Sequence, residues 1–155
     1  MLEMIVRARA ARTTPEVCAS ASAMLGANAK RVDSKASRRS SQVARRLGAE
    51  FGATPQAVSA ERSRLGVSWG DYVIAQTLSA NTDPRIPTEQ LIALHRGGLD
   101  WGQVAAGLEF DLADAVAAVQ AETRVATGSA PADRRVALIR KAAPRPSPST
   151  ISAAL

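Results

Sequence analysis

The pentad Gly66-Val-Ser-Trp-Gly70 has the Gly-x-Ser-x-Gly pattern that can place a nucleophilic serine on a sharp turn between a strand and a helix. The sequence has a single histidine, His95, and both Asp71 and Asp83 lie between it and Ser68, so the chain order permits a Ser-Asp-His triad. Such a turn requires a buried strand before the serine, however, and the five residues before Gly66 are mostly polar. The pentad alone therefore leaves a serine hydrolase as one alternative.

A second pentad, Gly98-Leu-Asp-Trp-Gly102, repeats the first with Asp100 in place of Ser68. Serine and aspartate are unlike as nucleophiles but are equivalent as helix N-caps. The spacing of the two copies, close to 33 residues, is typical of stacked pairs of short helices. We therefore predict that both pentads are helix starts, with glycines that let another backbone approach closely. The predicted structural residues are Ser68, Trp69, Gly70, Asp100, Trp101 and Gly102.

Metal and cofactor chemistry have little support in the sequence. One His and one Cys cannot supply the roughly four ligands of a structural zinc site. Glu109, Asp111 and Asp114 are close enough together to hold a cation, but they also begin a predicted helix, where acidic residues are favoured. Gly97-Gly98 lacks the Lys-Ser/Thr of a phosphate loop. We therefore predict no catalytic, cofactor-binding or metal-binding residues, and a protein that is not an enzyme.

The net charge of +6 is unevenly distributed along the 155 residues. Residues 1–66 carry 12 Lys/Arg and 5 Asp/Glu, residues 67–128 carry 3 and 8, and residues 129–155 carry 5 and 1. Basic ends thus flank an acidic middle, and such ends can hold nucleic acid or another acidic partner. The candidate residues for contact with an anion or a nucleic-acid backbone are Arg38, Arg39, Arg45 and Arg46.

Hydrophobic spacing and capping residues predict helices and no strands. One helix is expected from about residue 40 to Gly52, and others begin at Thr54, Ser68, Thr88, Asp100 and Asp111. The fold class is therefore all-α: two helix-pair repeats and a long closing helix over residues 38–128. Residues 29–41 are expected to be a mobile connection, and residues 129–155 a disordered basic Pro/Ser-rich tail with one or two helical turns near residues 133–143.

The basic N-terminal segment, residues 1–37, has two interpretations. It contains either a short helix beginning at Thr14-Pro15 or a degenerate export signal with a cleavage site after Ala29. The Ser-rich stretch and Pro15-Glu16 disfavour the signal, so a cytoplasmic location is favoured and export is the alternative.

The paired Trp-Gly motifs, with Phe51-Gly-Ala-Thr-Pro before them and Val104-Ala105-x-x-Leu108 after them, resemble those of a group of small uncharacterised bacterial proteins. The similarity covers residues 48–128. It implies a small helical fold and a bacterial source, often with export, and it brings no activity or functional residues. The basic ends of this chain and its lack of a clear signal peptide depart from that group.

These observations favour a non-enzymatic interaction or structural module that binds a protein partner. The alternative is a nucleic-acid-associated protein that contacts the phosphate backbone through its arginine cluster and basic tails.

Overall fold

The computed structural model describes residues 1–143. Across that range the chain forms seven α-helices and no β-strand, apart from an isolated bridge between Phe110 and Lys141, so the predicted all-α class is confirmed. The helices are α1 (Leu2–Ala10), α2 (Pro15–Phe51), α3 (Pro55–Leu65), α4 (Trp69–Ala80), α5 (Thr88–Arg96), α6 (Trp101–Gly107) and α7 (Leu112–Thr127).

The long helix α2 is the central element, and it packs against α3, α4, α6 and α7. Its buried stripe follows helical spacing, with one face toward the core. At Arg39 the backbone leaves helical geometry (φ −144°, ψ 54°), which kinks the helix. Small and medium side chains line the stripe, so neighbouring helices come close: Ala21, Leu25, Ala29, Val32, Ala36, Val43 and Leu47. None of the described helices combines the length and the apolar character needed to cross a bilayer.

The expectations for the N-terminal third are wrong in two respects. Residues 29–41 are helical apart from Arg39, and the boundary expected between residues 37 and 38 lies inside α2. The helix α1, which was not predicted, packs Val6 against α6. These segments are rich in Arg, Lys and Ser, but the polar side chains occupy the outer face while the small apolar ones are buried by tertiary packing.

The predicted helix ends are confirmed where local chemistry sets them. Thr54 caps α3 by accepting a hydrogen bond from the Ala57 amide at 3.0 Å. Three helices end at a glycine in the left-handed conformation that glycine adopts readily: Gly52, Gly66 and Gly128, with φ of 71°, 67° and 87°.

Residues 129–143 form an extended segment without the expected helical turns. The segment is fixed by side chains of the helical domain: Asn81 accepts from the Ile139 amide at 2.8 Å, and Ile139 is itself buried. Asp114 forms a two-pronged ion pair with Arg140, which lowers the pKa of Asp114. The expectation of a disordered tail is therefore wrong for residues 129–143, and the Pro/Ser-rich remainder, residues 144–155, lies outside the described residues.

Candidate functional site

Ser68 and Asp100 are helix caps, as predicted. The Ser68 hydroxyl accepts a hydrogen bond from the Asp71 amide at 3.1 Å, and the Asp100 carboxylate accepts one from the Gln103 amide at 2.7 Å. Gln103 returns a contact from its side chain to the Asp100 amide at 3.0 Å and completes a capping box. The hydroxyl of Ser68 is thus committed to the first turn of α4.

Asp71 and His95 face a tryptophan and not the serine. The Trp101 indole N–H donates to Asp71 Oδ1 at 3.0 Å, and the His95 ring stacks on Trp101 with a centroid separation of 4.4 Å. The His95 Nδ1 lies 2.9 Å from the Leu99 carbonyl, so the neutral ring carries its proton there. Among the hydrogen bonds of the described residues none joins Ser68 to His95. The three residues therefore link α4, α5 and α6 and do not form a hydrolytic triad.

The cap assignment predicts different results for two Ser68 variants. Ser68→Ala removes the acceptor of the Asp71 amide and should lower the free energy of unfolding by about 1 kcal/mol. Ser68→Asp keeps an acceptor, as Asp100 does at the corresponding position, and should stay within about 0.5 kcal/mol of the parent protein. Urea denaturation followed by tryptophan fluorescence measures both. A nucleophilic Ser68 would instead react with a fluorophosphonate probe, and we expect no labelling.

Gly70 and Gly102 dock the starts of α4 and α6 directly on the backbone of α2. A Cβ built on Gly70 would lie 2.2 Å from the Ala29 carbonyl oxygen, and one built on Gly102 would lie 2.2 Å from the Cys18 carbonyl oxygen. Both distances are far below van der Waals contact. The predicted close approach of a second backbone is confirmed, and only glycine fits at these two positions.

The side chains of α2 also satisfy the free amides of these two glycines. The second amide of a helix has no intrahelical acceptor. The Gly70 amide donates to Asp33 Oδ1 and the Gly102 amide to Ser22 Oγ, each at 2.7 Å. Ser22 and Asp33 are 11 residues apart, which is three turns of helix, so both docking sites lie on one face of α2. Sequence reasoning missed this pairing, although the 11-residue spacing of Cys18/Ser22 and Ala29/Asp33 was its signal.

Two buried glutamates, Glu50 on α2 and Glu122 on α7, hold the C-terminal segment. They are 2 % and 1 % exposed. Glu50 Oε1 accepts from the Asp133 amide at 2.9 Å, and Glu122 Oε1 accepts from the Ala137 amide at 2.7 Å. Burial, and then a hydrogen bond with Glu50, raises the pKa of Glu122 to about 8. At neutral pH Glu122 is therefore mainly protonated, and its proton is shared with Glu50.

The four predicted anion-binding arginines are not brought together. Arg38 and Arg39 border a surface groove of about 670 Å³ beside the end of α7. Arg45 is exposed on α2 and does not line that groove. The Arg46 guanidinium packs on Gly128, where an added Cβ would lie 2.6 Å from its Cζ, so Arg46 supports the end of α7.

The described part of the chain groups no three His, Cys, Asp or Glu side chains in a way that could hold a metal ion. Glu109, Asp111 and Asp114 have separate roles: Glu109 pairs with Arg9, Asp111 caps α7, and Asp114 pairs with Arg140. Comparison of the chain with protein-family models, curated proteins and solved structures finds no match.

Proposed function

We propose that this protein is a non-enzymatic interaction module that self-associates through an apolar surface near its N-terminal helices. One observation carries the proposal. Six large apolar side chains are exposed in the described residues, and five of them lie within the first 24 residues: Met1, Met4, Ile5, Val17 and Met24. A concentration of exposed apolar side chains marks an interaction surface in a protein whose other large side chains are buried.

Half of this surface is concave. Val17 and Met24 on α2, with Leu112 and Val116 on α7, line a groove of about 450 Å³, which we call the apolar groove. Val17 is 49 % and Met24 is 52 % exposed. The one charged residue that lines the apolar groove is Glu16, at its edge.

The other half is convex. Met1, Met4 and Ile5 lie at helical spacing on the face of α1 opposite Val6, which is buried. We call these three residues the ridge. Met4 is 76 % exposed and Ile5 is 39 % exposed. An apolar stripe on one helix and an apolar groove between two others are the two halves of helix-in-groove recognition.

A second copy of this chain is the partner that these features favour. Each copy offers a ridge and an apolar groove, so two copies related by a two-fold axis can each insert the ridge into the groove of the other and close as a dimer. Charge supports this arrangement, because the ridge lies on a basic helix that carries Arg7 and Arg9. The apolar groove lies beside Glu16 and the acidic start of α7. Opposite surface charges promote encounter.

Sedimentation equilibrium of the full chain over a range of concentrations tests the proposal. We expect reversible dimers, and we expect Met24→Glu and Met4→Glu each to weaken association at least tenfold, because each places a carboxylate in an apolar contact. Leu138→Glu is the matched control: Leu138 is 87 % exposed but lies on the C-terminal segment, and association should not change. A chain that stays monomeric at every concentration would overturn the proposal, as would equal effects of all three variants.

A further inference from the structure

A second surface of the molecule concentrates positive charge in a groove. The groove of about 670 Å³ between α2 and the end of α7 is bordered by four basic side chains and two hydroxyls. We call it the basic groove. Its lining residues are Arg31, Ser34, Lys35, Arg38, Arg39 and Thr127.

The charge of the basic groove is not compensated within the described residues. None of its four cations forms an ion pair or a hydrogen bond there, whereas Arg64 and Arg140 elsewhere are paired with Glu89 and Asp114. Residues 30–46 contain seven Lys/Arg and a single acid, Asp33. That carboxylate accepts the Gly70 amide and is committed to the docking of α4. The groove therefore presents cations without internal counter-charges.

The spacing of the cations suits an extended anion better than a small one. Arg31, Lys35 and Arg38 follow one face of α2 over about 10 Å, at 1.5 Å per residue. The kink at Arg39 then changes the direction of the chain at the end of this row. Duplex nucleic acid carries one charge for about every 1.7 Å of its axis, so a row of this length meets several phosphates.

Two further observations narrow the class of ligand. Single strands are bound by stacking bases on accessible aromatic rings, but Trp69, Tyr72, Trp101 and Phe110 are buried. Peripheral membrane helices combine basic and apolar residues on neighbouring faces. Here the exposed apolar side chains, apart from Leu138, belong to residues 1–24, and none lines the basic groove.

We propose that the basic groove binds the phosphate backbone of double-stranded nucleic acid without reading its sequence. The residues that carry the binding are Arg31, Lys35, Arg38 and Arg39, with hydrogen bonds from Ser34 and Thr127. This site is separate from the ridge and the apolar groove, and it does not depend on self-association. It also changes the set of contact residues expected from the sequence, because Arg31 and Lys35 replace Arg45 and Arg46.

Fluorescence anisotropy of the full chain with a labelled 20-base-pair DNA duplex, measured at several KCl concentrations, tests the site. Four phosphate contacts give a slope of log K against log salt of about −3.6. Lys35→Gln and Arg38→Gln should each make that slope shallower by about one and weaken binding at low salt. All four lining cations are half-buried or exposed on the outer face of α2, so these variants should fold.

Arg45→Gln is the matched control, because it removes the same charge from the same helix outside the basic groove. We expect its slope to stay within half a unit of the parent value. Equal effects of Arg45→Gln and Arg38→Gln would overturn the site and leave only net charge as the cause of binding. Absence of duplex binding at 50 mM KCl would also overturn it, as would tighter binding to phosphatidylserine vesicles than to the duplex. Dimerisation measured on Arg38→Gln should be unchanged, which separates failure of this site from failure of the ridge.

Discussion

Gly70→Ala and Gly102→Ala should each lower the free energy of unfolding by about 3 kcal/mol or more, at the upper end of what overpacking costs. The added methyl group would lie 2.2 Å from a backbone carbonyl oxygen of α2 in both cases. A backbone atom in the middle of a helix cannot move away as a flexible side chain can. The starts of α4 and α6 would have to separate from α2, which also removes the hydrogen bonds of the two glycine amides to Asp33 and Ser22.

Gly26→Ala is the matched control for these variants. Gly26 lies inside α2, and an added Cβ there has no neighbour within 4 Å. Alanine is a better helix former than glycine by about 1 kcal/mol, so this variant should be more stable than the parent protein. Urea denaturation monitored by the buried tryptophans measures all three changes. If Gly70→Ala and Gly102→Ala changed stability in the same direction as Gly26→Ala, the docking on α2 would be wrong.

The second large effect concerns pH. The pKa of Glu122 is raised from 4.5 to about 8 in the folded protein, chiefly by burial and then by Glu50. Between these two values the folded state binds a proton that the unfolded state has released. Stability from this group is therefore fully present below about pH 4.5 and is lost as the pH rises toward 8, by about 1.4 kcal/mol per pH unit.

Glu122→Gln should remove this contribution to the pH dependence. The amide cannot ionise, and it can still donate to Glu50 and accept from the Ala137 amide. We expect the variant to be more stable than the parent protein by about 3 kcal/mol at pH 8.5, and similar to it at pH 5. Glu89→Gln is the control, because Glu89 is exposed in its ion pair with Arg64. A stability difference between Glu122→Gln and the parent that did not vary with pH would show that Glu122 is ionised in the folded state.

The parts of the fold that local chemistry determines were predictable from the sequence. The caps at Ser68, Asp100 and Asp111 and the stop at Gly128 depend on residues within four positions of one another. The close approach at Gly70 and Gly102 was also predictable, because two glycines after two tryptophans indicate a crowded contact. The identity of the contacting helix was not, because Ala29 and Cys18 lie far away in the sequence.

The remaining parts depended on long-range packing. The N-terminal half of α2 is polar on most of its surface, and its helical state depends on small buried residues that composition does not distinguish from a linker. Glu50 and Glu122 lie on different helices and carry no spacing signal. The arginine cluster was predicted on the basis of one continuous helix, whereas the kink at Arg39 and the packing of Arg46 on Gly128 separate its members.

Docking of the ridge in the apolar groove is tested most directly by a disulfide between two chains. One chain would carry Met4→Cys and the other Met24→Cys, each with Cys18→Ala to remove the single native thiol. After oxidation of an equal mixture, we expect the mixed Met4→Cys/Met24→Cys dimer to exceed both homodimers, because the ridge of one copy meets the groove of the other. Mixed and homodimeric products in statistical proportions, or no cross-linked product at all, would contradict self-association through these surfaces.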